Sequence, residues 1–160
     1  MPHVTNMWKL LQSHKILLDT SFAMQPGFTR FTDTFRPIFR QNPIQIPAVV
    51  FWELRNLSLN AQLNLAARRA MEQIIHLYFE KRAEIRYEKC DDFQDHVLLR
   101  VALQHQRRKN IAVLTNDCDL MRDLRQLWST RSIKRRRELE VLKLHGFTNW
   151  LCIFSDRNAV

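Results

Sequence analysis

Short apolar runs alternate with stretches of helical periodicity along this chain, and that alternation leaves few architectures open. Lys15-Ile-Leu-Leu-Asp19 reads as a strand, as do Ile44-Gln-Ile46, the weaker Ala83 to Tyr87, Ile111-Ala-Val-Leu-Thr115, and Leu139 to Leu144. Uninterrupted apolar runs suit parallel strands buried on both faces. Thr20 and Ser21 stand where a helix cap is wanted. Phe28, Phe31, Phe35 and Phe39 recur at helical spacing, which predicts a core-facing helix that Pro37 kinks or ends. Pro47 suits the first turn of a helix over Ala48 to Leu57, with Val49, Val50, Leu54 and Leu57 on its apolar side. Asn60 is placed to cap a longer helix through Lys81 that buries Leu63, Ala67, Ala70, Ile74, Leu77 and Tyr78. Further helices are expected over 93–106, 120–128 and 147–154. Strand and helix in turn predict one α/β domain, its parallel sheet covered by helices on both faces through right-handed crossovers.

The chain has 160 residues and no dividing linker, which fits one domain with a real core. Its two glycines exclude the Gly-rich phosphate cradles of P-loop and dinucleotide-binding proteins. No apolar run approaches the ~20 residues of a membrane span, and the start lacks a signal-peptide pattern. Cys90, Cys118 and Cys152 are odd in number and widely spaced, so reduced thiols and a cytoplasmic location are expected.

Net charge is +9 and the isoelectric point about 10.1, the balance of a chain that meets a polyanion. The positive charge clusters. Arg131, Lys134, Arg135, Arg136 and Arg137 form one group, and Arg107, Arg108 and Lys109 a second.

Against this basic background, acids recur where an open parallel sheet places its sites, beyond the carboxyl ends of the strands. Asp19 and Asp117 follow strands. Glu53 and Asp95 are expected in the first turns of helices opening onto the same edge. Asp119 follows Asp117 by two residues, which in an extended loop puts both side chains on one side. Carboxylates so gathered repel one another unless a cation lies between them, and Mg²⁺ or Mn²⁺ takes oxygen ligands. Such a cation activates water and stabilises a phosphoryl displacement. Each acid also has a plainer reading: Asp19 as a helix cap, Glu53 as a solvent-facing charge, Asp91, Asp92 and Asp95 as charges favoured at a helix start, Asp117 and Asp119 as turn residues. The set on one edge is what favours the metal pocket. His76, His96 and His105 are scattered without zinc spacing, Cys118 is a bystander, and Ser21 lacks a histidine partner for a hydrolytic triad.

These residues resemble the PIN-domain family. Ile16-Leu-Leu-Asp19-Thr-Ser is similar to its opening strand with the first acid, and Pro47-Ala-Val-Val-Phe-Trp-Glu53-Leu to its second motif. Asp95-His-Val-Leu-Leu-Arg-Val-Ala102 resembles the helix with the third acid, Val113-Leu-Thr-Asn-Asp117-Cys-Asp119-Leu the fourth motif, and Gly146-Phe-Thr-Asn-Trp-Leu the terminal helix. The resemblance implies a three-layer α/β/α sandwich around a mostly parallel sheet. It implies an endoribonuclease that cuts single-stranded RNA with Mg²⁺ or Mn²⁺. Asp19, Glu53, Asp95 and Asp117 would form the acidic core, with Asp119 auxiliary and Asp92 the rival third acid. Arg131, Lys134, Arg135, Arg136 and Arg137 would be an RNA-gripping insertion, joined by Arg107 and Arg108. Trp128 and Phe28 are candidates for base stacking, although core packing accounts for both. A toxin of a toxin–antitoxin pair, with an antitoxin or other protein partner, is one setting, and a homodimer is compatible with it. A catalytically silent RNA-binding or scaffolding module is the alternative. A nuclease acting on DNA is a third reading.

Overall fold

The computed structural model describes residues 4–87, 110–129, 139–143 and 152–155. Helix α1 (Val4–Ser13) leads into strand β1 (Lys15–Leu18). Three short helices follow, α2 (Thr20–Ala23), α3 (Phe28–Thr34) and α4 (Arg36–Gln41), and then β2 (Ile44–Pro47). Helices α5 (Ala48–Leu57) and α6 (Asn64–Phe79) connect to β3 (Ala83–Arg86). Strand β4 (Ile111–Leu114), helix α7 (Cys118–Ser129), β5 (Leu139–Lys143) and β6 (Cys152–Ser155) complete the described elements.

The strands form one sheet in the order β3-β2-β1-β4-β5-β6. The first five in this order run parallel, and β6 is antiparallel to β5, pairing Val141 with Phe154. The sheet is therefore mostly parallel, as expected. The closing helix expected over 147–154 is corrected at its end, because residues 152–155 are strand. Cys-Ile-Phe is as suited to a strand as to a helix, and a short apolar run does not separate the two.

Every residue of β2 and β4 is buried. Ile16, Leu18, Ala112 and Leu114 join a core with residues of α1 to α6. Leu17, Ile111 and Val113 point the other way and are equally buried, so both faces of the sheet are covered. Right-handed crossovers account for this. The chain moves one way from β1 to β2 to β3 and the other way from β4 to β5, which puts α2–α6 and α7 on opposite faces. Leu120 and Leu124 of α7 are fully buried. No helix among the described residues is long and apolar enough to cross a membrane.

The phenylalanine stripe is core, as its spacing predicts. Phe28, Phe31, Phe35 and Phe39 are buried, and Phe31 meets Phe22 and Phe35 edge-on with ring centroids 5.2 Å apart. The helix is broken at Phe35, whose backbone leaves helical geometry (φ −101°, ψ 21°). Pro37 then lies in the first turn of α4, where its missing N–H costs nothing. Pro47 ends β2 and caps α5 rather than opening the helix. Asn60 caps a turn, its Oδ1 accepting from the N–H groups of Gln62 (2.9 Å) and Leu63 (3.3 Å), and regular helix starts only at Asn64. Leu63 and Tyr78, expected inside, are exposed.

Helix α6 ends in a Schellman motif. Arg82 N donates to Leu77 O at 2.8 Å and Lys81 N to Tyr78 O at 3.0 Å, with Lys81 in the left-handed region at φ 58°. The turn delivers Arg82, fully buried, between Glu80 and Asp33 at the amino end of β3. That ionic cluster lies at the edge of the sheet opposite the strand carboxyl ends.

Candidate active site

The strand order fixes where a site can form. From β1 the chain leaves toward β2 and later returns to β4 on the other side, so the connections after β1 and β4 diverge and leave a crevice between them. The register aligns Leu18 with Leu114, and Asp19 N donates to Leu114 O at 2.9 Å. Asp19 and Thr115 are thus the matched first residues beyond two neighbouring strands.

Asp19 is 4% exposed and is the N-cap of α2. Three donors converge on its Oδ2: Ser21 Oγ at 2.5 Å, Thr115 Oγ1 at 2.8 Å and Ser21 N at 3.3 Å. A hydroxyl has one proton to give. Both hydroxyl protons go to the carboxylate, so the 3.1 Å approach of Ser21 Oγ to Thr115 Oγ1 carries no proton of its own. Each hydroxyl oxygen accepts in turn a backbone N–H, from Asn116 onto Ser21 (2.9 Å) and from Asp117 onto Thr115 (3.0 Å). The loops after β1 and β4 are tied together through one buried carboxylate. Such charge-assisted bonds offset the cost of taking a carboxylate out of water. Thr115, itself fully buried, was not singled out from the sequence. Its signal is a hydroxyl residue set between an apolar strand and an acid.

Thr20 carries the connection further. Its hydroxyl donates to Glu53 Oε2 at 3.1 Å, so the half-buried Glu53 carboxylate lies against the residue next to Asp19. Glu53 is the sixth residue of α5 and lies in its second turn, not its first, yet still opens toward α2. Val50 and Leu54 on either side of it face the core.

Asp117 caps α7, its Oδ1 accepting from the N–H groups of Asp119 (2.8 Å) and Leu120 (3.1 Å). The extended loop expected through Asp119 is corrected here, since Asp119 already lies in the first turn of α7. Its exposed carboxylate is ion-paired with Arg122 three residues on. Cys118 is an exposed thiol at the helix start.

Asp91, Asp92 and Asp95 lie outside the described residues, as do Arg107, Arg108, Arg131, Lys134, Arg135, Arg136 and Arg137. So does the Trp128 side chain. Phe28 is buried and offers no stacking surface. Among the described residues no three of His, Cys, Asp and Glu come together in a metal-holding group. Asp19, Asp117 and Glu53 offer oxygen donors, the class that hard divalent cations take. The fit is one of donor chemistry alone: Asp19 and Asp117 follow neighbouring strands, and Glu53 reaches Thr20, the residue next to Asp19.

No protein-family model and no curated protein matches the chain. Among solved structures, the PIN domain endonuclease Utp24 is similar, with a TM-score of 0.51 and 18% identity over 82% of this chain and 85% of that one. Sheet order, crossovers and the span of that superposition agree that this chain is an α/β domain with a PIN-like fold.

Proposed function

We propose that the chain is a metal-dependent endoribonuclease acting on single-stranded RNA. The observation that carries the proposal is the buried Asp19 carboxylate, held by Ser21 and Thr115 at the switch point of a PIN-like sheet. Asp19 and Asp117 would hold a divalent cation, with Glu53 and the third-motif acid, Asp95 or its rival Asp92, completing the set. When bound, Mg²⁺ or Mn²⁺ supplies water activation and neutralises charge developing on the phosphate. The chain's own part is positioning. Ser21 and Thr115 fix the Asp19 rotamer, and Thr20 holds Glu53 beside it. Asp119, paired with Arg122, lies at the periphery. Arg107, Arg108, Arg131, Lys134, Arg135, Arg136 and Arg137 would hold the phosphates, and a chain of net charge +9 favours a polyanionic substrate. In a toxin–antitoxin setting a small protein partner would cover the acidic crevice.

A silent RNA-binding module is favoured by one observation: Asp19 and Asp117 both act as helix caps, a structural use that needs no metal. Incubation with single-stranded RNA and Mn²⁺ or Mg²⁺ separates the readings. Cleavage by the wild type and none by Asp19→Asn is expected. Bound but uncut RNA, with no heat of Mn²⁺ binding by calorimetry, would leave the silent module.

A further inference from the structure

Helix α5 carries more than Glu53. Its buried side, Val50 and Leu54, packs into the core, and Glu53 meets Thr20. Trp52 and Arg55 are both exposed, and Trp52 has 54% of its surface in water. Tryptophan is a residue proteins bury on average, so an indole held in water one residue from Glu53 is a costly placement. It is also an ordered one. The Arg55 guanidinium lies 5.7 Å from the centre of the Trp52 ring, within cation–π range, so one exposed side chain steadies the other.

We propose that Trp52 and Arg55 form a stacking platform for an unpaired base of single-stranded RNA, next to the carboxylates that cut it. The proposal rests on the nuclease reading above and names how that site takes its substrate. Bases of a single strand are free to splay out and stack on aromatic rings or on guanidinium planes, which Trp52 and Arg55 supply together. A guanidinium also meets the phosphate that follows the base. Trp52 is the residue immediately before Glu53 and lies about 100° around the helix from it, so a strand stacked on the indole reaches Glu53 along one flank of α5. The chain's strong positive charge suits this polyanionic occupant.

Binding by the uncleaving Asp19→Asn protein tests the platform, read as fluorescence anisotropy of a labelled single-stranded oligoribonucleotide. Adding Trp52→Ala is expected to weaken binding roughly tenfold, the loss of one base stack. Trp52→Phe should keep most of the affinity, and Arg55→Gln should lose part of it. An abasic oligonucleotide should bind the parent more weakly but cost the Trp52→Ala protein nothing further. Unchanged affinity in Trp52→Ala, or an abasic penalty that persists in it, overturns the platform while leaving cleavage intact. Trp52-dependent binding by a wild type that never cuts RNA overturns the nuclease and keeps the platform. A parent that does not bind single-stranded RNA overturns both.

Discussion

Two hydroxyl groups decide how the Asp19 carboxylate is held. Without Ser21 and Thr115 it would be a capped but loosely satisfied buried charge. With them it is a fixed point shared by two loops. Thr115→Val removes a donor to Asp19 and leaves the Asp117 N–H without its acceptor. The expected loss of stability is about 1–3 kcal/mol, measured by chemical denaturation. A larger fall in cleavage than in stability is also expected, because the Asp19 rotamer is freed. A Thr115→Val protein as stable as the wild type would contradict the geometry. Asp19→Asn keeps the cap and both hydroxyl contacts, so its unfolding midpoint should move little. At this scale the acids themselves were legible, since charges at the ends of apolar runs stand out in any sequence. Thr115 was not, because a threonine between strand and acid also reads as the last residue of the strand.

The elements differ in how plainly their residues announce them. Helix α5 spans Ala48–Leu57 as its apolar spacing implies, and β4 is an uninterrupted apolar run. Helix α1 was missed, although Met7 and Leu11 anchor it in the core. Leu11 is fully buried, and Leu11→Ala should cost about 2–5 kcal/mol in denaturant unfolding. An unfolding midpoint unmoved by that change would mean α1 is not docked. The end of α6 offers the reverse prediction. Lys81 occupies the left-handed position that glycine usually fills, at a penalty of roughly 1 kcal/mol for a side-chain-bearing residue. Lys81→Gly should therefore raise the melting temperature. A fall would show that the Lys81 side chain contributes more than its backbone costs. The splitting of the phenylalanine stripe at Phe35 shows why periodicity alone misjudges continuity: two short helices bury the same rings as one long helix.

For the whole molecule, charge and topology act together. The sheet sets Asp19 and Asp117 beyond the ends of neighbouring strands, while the chain as a whole is basic. RNA binding should weaken linearly with the logarithm of salt concentration, at about 0.7 per phosphate contact for a single strand. Neutralising Arg131, Lys134, Arg135, Arg136 and Arg137 together should flatten that slope while leaving the slope for the remaining contacts. A slope unchanged by the five substitutions would show that this stretch does not touch RNA.

The sequence by itself determined the class of fold and raised the expectation of a polyanionic partner. Apolar runs, their spacing and the net charge are local or additive properties that need no three-dimensional arrangement to be read. It also placed acids at strand ends. Tertiary structure decided what each of them meets. The switch between β1 and β4 brings residue 19 against residue 115, a juxtaposition set by strand order that no local pattern encodes. It likewise carried Glu53 to Thr20, drew Asp119 into a helix and onto Arg122, and left Trp52 in water. Each of these outcomes depends on which surface another element covers, and burial of that kind is settled only when the layers pack.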